Sequence, residues 1–278
     1  MNRNEVKLIL KQLEIHPNKK LGQNFLIEQS VIKKIISISD ISQNDIILEV
    51  GPGLGAITEN LINLVKKIYA IEIDRKLYSF LVNKFSIYNN IEIIQGDILK
   101  VDIPSNNKVI SNIPYTMTGP ILDRLFFKSN SPIGILIIEK SIADRIFKPG
   151  DYKNFSRITI TVNSFMAPKY YTTVSRNSFF PPPKIPLSLI KVVPKESINP
   201  FLLEKDSRNF FLKFIAGILP YKNKNIVNAI QLFLETNYNM PYTKEEIILT
   251  LQENNYVNKK VFEFEINEYI EISKLFYN

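Results

Sequence analysis

Residues 111–115 read Ser-Asn-Ile-Pro-Tyr and follow directly on a β-rich run. An amide oxygen on Asn112 accepts hydrogen bonds. Pro114 biases Ile113 toward an extended backbone, which presents the Ile113 carbonyl as a second acceptor. Tyr115, read here as exposed, offers a flat face for an unstacked base. Together they suit a flat, uncharged amine whose lone pair is delocalised into a ring and must be localised before it can attack. No general base with a tuned pKa is required, because alignment supplies the catalysis. The same residues also fit a plain strand end closed by a proline turn. Three carboxylates share the setting: Glu49, Glu72 and Asp97 each fall where a strand should end. Glycines 51, 53 and 55 follow Glu49 and permit a tight turn with close backbone approach to a ligand. A bare strand-to-helix turn is the plainer alternative for the glycines, and a helix cap or solvated loop acid for Asp97.

The elements that must position these groups are legible from pattern. Residues 45–50, 67–73, 91–95, 108–112 and 134–139 are β-branched-rich runs, expected as strands covered on both faces. Amphipathic helix-length stretches separate them at 56–65, 75–85 and 118–127. Alternating strand and helix predicts an α/β fold with a doubly wound parallel sheet. Runs at 169–174 and 187–193 have no helix between them and should form an antiparallel edge hairpin. After Val193 the spacing turns helical, giving a domain over 1–193 and a small all-helical domain over 194–278.

Composition bounds the function. The 278 residues are 45% hydrophobic and 22% charged, an ordinary soluble balance. No window is long and apolar enough for a membrane span, and the N-terminal run is too short and charged for a signal peptide. Without cysteine and with a single histidine, disulfide and most zinc chemistry is excluded and no metal site is expected. A cytoplasmic location is expected. Net charge is +8, with paired lysines at 19–20, 33–34, 66–67 and 259–260, which favours a polyanionic partner, most commonly nucleic acid.

The acidic-G-x-G-x-G loop at 49–55 resembles the S-adenosylmethionine loop of Rossmann-like class I methyltransferases. Carboxylates at the strand ends suit a cationic sulfonium and amino group better than a diphosphate. KKLGQNFL (19–26), EVGPGLG (49–55), YAIEID (69–74), QGDI (95–98), SNIPYTMT (111–118), NFSRIT (154–159) and SFFPPPK (178–184) occur in one order along the chain. In that order they resemble the small-subunit rRNA adenine N(6),N(6)-dimethyltransferase family, the KsgA type. The resemblance implies S-adenosylmethionine as cofactor, with Asn24 and Leu26 lining its pocket. Gly51 would lie under its methionine part, Gly53 would bind it in the same loop, Glu72 would lie on its ribose and Asp97 at its adenine amine. It implies Asn112 between cofactor and target base, with Ile113 and Pro114 completing the motif, and Tyr115 and Phe179 sandwiching the flipped base. It implies methyl transfer to two adjacent adenines near the 3′ end of small-subunit rRNA, within a ribosomal subunit or precursor, by a monomer. The helical tail is then expected to bind RNA through Lys222, Lys224, Lys259 and Lys260, the last two opening the final helix. Pro186 and Leu187 depart from the family's pattern and put local strand pairing in doubt. Rival readings are an Erm-type methyltransferase of large-subunit rRNA and a non-catalytic nucleic-acid-binding relative. The intact 112–115 motif and the 181–184 run speak against them.

Overall fold

A computed structural model of the chain describes residues 1–17, 22–148, 150, 155–237 and 242–277. Lys19, Lys20 and Leu21 of the N-terminal motif and Asn154 lie outside the described residues.

The chain opens with α1 (Arg3–Gln12), β1 (Phe25–Leu26), α2 (Gln29–Ile38), β2 (Ile46–Val50), α3 (Ala56–Leu61), β3 (Lys67–Glu72), α4 (Arg75–Lys84) and β4 (Ile91–Gln95). It continues through β5 (Lys108–Asn112), α5 (Thr118–Phe126), β6 (Ile133–Glu139), α6 (Lys140–Phe147), α7 (Arg157–Phe165), β7 (Met166–Val174), β8 (Phe179–Phe180) and β9 (Leu187–Pro194). Helices α8 (Lys205–Ile218), α9 (Ile226–Asn237), α10 (Lys244–Gln252) and α11 (Ile266–Leu275) complete it.

Seven strands form one sheet in the order β4-β3-β2-β5-β6-β9-β7. Strands β2 through β6 pair in parallel and β9 runs antiparallel to β6. The interior strands are buried because helices cover both faces, as β-branched runs require. Edge strand β4 is the exception to the expected cover on both faces: Glu92 and Gln95 are exposed and Ile91, Ile93 and Ile94 only half-buried, at the edge of the sheet. The runs at 169–174 and 187–193 lie side by side at the opposite edge. Pro186 does not disturb the pairing. It precedes β9, lacks the N–H that the ladder would need, and still accepts a 2.9 Å bond from the Lys140 N–H.

A second, two-stranded ribbon pairs Phe25 with Phe180 and Leu26 with Phe179, joining segments more than 150 residues apart. Helix α1 docks beside it. Its apolar stripe, Val6 and Leu10, packs with Ile15, Phe25, Leu54 and Leu77. An Asn2–Glu5 capping box fixes its start.

At the amino ends of the strands sits a buried ion pair. The Lys108 ammonium donates to Asp45 Oδ2 at 2.7 Å and to the Asp40 carbonyl at 2.6 Å. Asn107 and the Ser42 N–H donate to the same carboxylate, each at 2.7 Å. Burial alone would raise the Asp45 carboxyl, but these bonds outweigh it and hold it below its usual range.

By contacts the chain divides into two units. The first holds Met1–Phe126, Ser131–Ala143 and Ala167–Pro194; the second holds Phe127–Asn130, Asp144–Met166 and Lys195–Asn278. The sequence reading placed one cut at 193/194, whereas the helical unit also takes in α7, whose Ile160, Val162 and Phe165 are buried as it packs with α8 and α11. Within that unit Phe210, Phe214 and Phe233 form an aromatic cluster. Lys259 and Lys260 do not open α11. They precede a turn at Val261–Glu263, and Lys259 is held by Glu268 at 2.9 Å. Among the described residues no helix is long and apolar enough to cross a membrane.

Candidate active site

The strand order reverses beside β2: the chain steps outward through β3 and β4, then returns to place β5 on the other side. Ligands of open α/β sheets bind outside the carboxyl ends at such a switch point. The ladder pairs Ile47 with Lys108 and Leu48 with Val109. Further along, the Ser111 hydroxyl donates to the Val50 carbonyl at 2.5 Å. A buried side chain thus satisfies main chain at the point where the sheet opens into a cleft.

That cleft, about 680 Å3, is lined by Asn24, Leu26, Glu49, Gly51, Gly53, Glu72, Asn112 and Pro114 among others. The glycine loop turns through left-handed backbone, with φ of 64° at Gly51 and 61° at Gly53. A Cβ on Gly53 would stand 3.0 Å from the Phe25 ring, so both conformation and space demand glycine there. Its N–H donates to Glu72 Oε2 at 3.1 Å, while the Asp74 N–H donates to Oε1 at 3.0 Å. One carboxylate therefore clamps the glycine loop and the β3–α4 turn together.

A neighbouring apolar cleft of about 640 Å3 is lined by Asp97 and Ile98 together with Gly51, Ile73, Pro114 and Met117. Asp97 also accepts from the Leu99 N–H at 2.9 Å; it closes a turn, and no helix follows for it to cap. Gly51, Ile73 and Pro114 line both clefts, so the slot bearing Asp97 adjoins the cleft bearing Glu72.

Two carboxyls in the first cleft are buried. Burial pushes Glu49 up to about 8, against a 2.6 Å bond donated by the Thr58 hydroxyl. Burial likewise pushes Glu72 to about 7, opposed by its two backbone donors. A buried pair of acids at a strand end is favoured by an incoming cation, which restores the ionised forms. Left-handed glycine turns, acidic walls and an adjoining apolar slot suit the cationic, hydroxyl-bearing and apolar parts of S-adenosylmethionine.

The Asn112 amide is held from two sides. Its NH2 donates to the Asn24 carbonyl at 3.1 Å, and its Oδ1 accepts from the Tyr115 hydroxyl at 3.2 Å. A main-chain carbonyl can only accept, so Asn24 dictates which end of the amide faces it. Asn112 must then turn its oxygen toward Tyr115. Tyr115 departs from the sequence reading. It is buried, 9% exposed, because the ring packs into the sheet's core and its hydroxyl has a partner. Burial raises its phenol well above the usual range. Phe179 is fully buried through the ribbon pairing with Leu26, and Ile113 is fully buried behind the strand end.

Several residues here escaped the sequence reading as site groups. Gln23 Nε2 donates to Asp74 Oδ2 at 3.0 Å, tying the 22–26 segment to the β3–α4 turn. Asp74 also caps α4, a signal present in its position just before the helix. Thr58 and Ser111 carry no local signal, since their partners are nine and 61 residues away.

Comparison with known proteins agrees with this geometry. The family model described as ribosomal RNA adenine dimethylase matches residues 15–273. A probable ribosomal RNA small subunit methyltransferase A from Pyrococcus furiosus is 32% identical over 276 residues, covering 98% of this chain and 96% of the relative. The corresponding protein of Borrelia garinii subsp. bavariensis is 32% identical, covering 96% and 92%. The crystal structure of a dimethyladenosine transferase from Plasmodium falciparum matches with a TM-score of 0.75 at 27% identity, covering 89% and 95%. The 23S rRNA methyltransferase ErmE shares the fold, with a TM-score of 0.64 at 22% identity, covering 91% and 99%. Matched by that family's model over residues 15–273 and by relatives over nearly its whole length, the chain belongs to the ribosomal RNA adenine dimethylase family.

Proposed function

We propose that this chain transfers methyl groups from S-adenosylmethionine to the exocyclic amines of two adjacent adenines near the 3′ end of small-subunit rRNA. The observation that carries this reading is the Asn112 amide, oriented by the Asn24 carbonyl at 3.1 Å on the wall of a cleft bearing Glu49 and Glu72. The relatives named above as small subunit methyltransferases, matched over nearly their whole length, support the small-subunit choice.

When bound, S-adenosylmethionine supplies a methyl group on a positively charged sulfur. Glu72, clamped by the Gly53 and Asp74 N–H groups, would take ribose hydroxyls, and Gly51 and Gly53 would let the loop approach the ligand closely. Asp97, in the adjoining slot, is placed for an adenine amine. Asn24 and Leu26 close the cleft from the N-terminal side. Asn112 Oδ1 accepts an N–H of the target amine, withdrawing the nitrogen lone pair from the ring and aiming it at the cleft. The Ile113 carbonyl serves as the second acceptor. Once the N–C bond has formed, the now cationic nitrogen gives its extra proton to water, so no side chain has to act as a base. Tyr115 and Phe179 are covered in this conformation, so sandwiching a base requires their faces to be uncovered first. The second unit, all helical, extends the contact with the ribosomal particle.

Methyl transfer from radiolabelled cofactor to unmodified small subunits, with large subunits and DNA as controls, tests this reading. Labelling confined to small subunits is expected. Equal or preferential labelling of large subunits would favour the Erm-type alternative, and no labelling with intact RNA binding would favour a non-catalytic module.

A further inference from the structure

We propose that the exposed face of α1 formed by Arg3, Lys7 and Lys11 is a docking surface for the phosphate backbone of the RNA strand that carries the target base. This rests on the function proposed above. The three residues stand four apart, so they project from one face of the helix, each about 6 Å beyond the last. All three are exposed, and among the described residues no ion pair engages them. The acids closest in sequence are occupied elsewhere. Both oxygens of Glu5 are taken by Asn2, at 2.8 and 3.0 Å, and Glu14 lies beside Lys76 at 3.9 Å.

Arg3 and Lys7 are held beside the lip of the cleft, and Lys11 continues the same helix face. Arg3 and Lys7 each stand 5.7 Å from the centre of the Phe180 ring. Phe180 pairs with Phe25, Phe179 pairs with Leu26, and Phe25 and Leu26 line the first cleft. Phe179 and Leu26 face one side of the ribbon and Phe180 and Phe25 the other, so the basic face adjoins the cleft through Phe25 and not through Phe179. It is also rigid, because Val6 and Leu10 lock α1 onto Phe25, Leu54 and Leu77. An RNA strand reaching the cleft beside Phe25 passes its phosphates along this face. Contacts of this kind to phosphates fix the register of the strand without reading its sequence. In contrast, Lys259 of the helical unit, read from sequence as an RNA contact, is already neutralised by Glu268.

The test uses the full chain with Arg3→Gln, Lys7→Gln and Lys11→Gln combined, and deproteinised small-subunit rRNA as the probe. Binding is measured as a function of salt. Loss of three contacts to single-stranded phosphates should flatten the log–log salt slope by about 2. KM for RNA should rise, while cofactor affinity and kcat stay at wild-type values. A charge-preserving variant, Arg3→Lys with Lys7→Arg and Lys11→Arg, should restore the slope. A neutral variant with wild-type slope and KM on this RNA overturns the proposal. So does a defect seen on whole subunits but not on naked RNA, which would point to an acidic ribosomal protein instead. Absence of methyl transfer by the wild-type chain counts against the proposed function, and the α1 surface is then judged by the slope alone.

Discussion

Tyr115→Phe removes one oxygen and leaves the ring. That oxygen has Asn112 Oδ1 as its partner, at 3.2 Å, and the ring is 9% exposed within the sheet's core. Packing is therefore conserved, and the change isolates a single buried hydrogen bond. Such a bond contributes about 0.5–1.5 kcal/mol net. If the hydroxyl holds Asn112 in place for the reacting amine, the loss appears in the transition state, and kcat should fall roughly two- to tenfold. KM for cofactor and for RNA should stay within about twofold of wild type, because neither ligand loses a contact. Tyr115→Ala is the contrasting variant: it removes a buried ring as well, and should cost about 3–5 kcal/mol of stability in addition. Single-turnover methyl transfer separates the chemical step from product release, and thermal melts report the stability difference. A Phe variant with wild-type kcat would show that the Asn24 carbonyl alone positions the amide. A Phe variant as inactive as Asn112→Ala would mean that the hydroxyl does more than position.

Glu72→Ala should weaken cofactor binding by about 1–3 kcal/mol, as for a charge-assisted bond, and unchanged calorimetric affinity in a folded variant would remove Glu72 from the site. Glu49 and Glu72 carry raised values, about 8 and 7, so the stability they contribute is intact below the unfolded value near ~4.3 and is lost as pH rises through 7 to 8. A bound cation favours their ionised forms, so cofactor affinity should rise with pH through that window and proton release should accompany binding. Calorimetry in buffers of different ionisation enthalpy measures it, and Glu49→Gln should remove part of it; binding without proton release would contradict the assignment. Lys108→Met leaves the Asp45 carboxylate buried without its cation and should cost about 3–5 kcal/mol in denaturant unfolding, whereas a loss below about 1 kcal/mol would mean that the carboxylate finds water. Removing residues 195–278 uncovers the buried face of α7, so aggregation is expected by light scattering; a monodisperse truncated chain would show that α7 needs no partner.

The sequence made the cleft legible because its parts are local. Residues 49–55 carry their own turn chemistry, and the strands and helices that follow have clear periods. What it hid was settled by distant partners. The 25–26 and 179–180 ribbon is two residues per strand, too short for any period to register. Helix α7 reads Arg-Ile-Thr-Ile-Thr-Val, a β-branched run that propensity does not favour as helix, yet the Ser156–Thr159 box and packing against α8 and α11 make it one. Tyr115 was read as exposed because an aromatic beside a proline turn looks like a platform; burial against the sheet and the bond to Asn112 decide otherwise. Lys108 counted toward the basic surface in composition, but it is 5% exposed and spends its charge on Asp45, 63 residues away.

The most direct test of the account is the chemistry at the target base. Small subunits lacking the modification are incubated with the wild-type chain or with Asn112→Ala, and the rRNA is digested to nucleosides for mass spectrometry. The wild-type chain should convert two adjacent adenines near the 3′ end to N(6),N(6)-dimethyladenosine. Asn112→Ala should bind the same subunits and cofactor with transfer reduced at least about a hundredfold, the scale of removing one preorganised polar group at a reacting centre. Dimethyladenosine formed at wild-type rate by Asn112→Ala, or methylation at a base position other than N6, would contradict it.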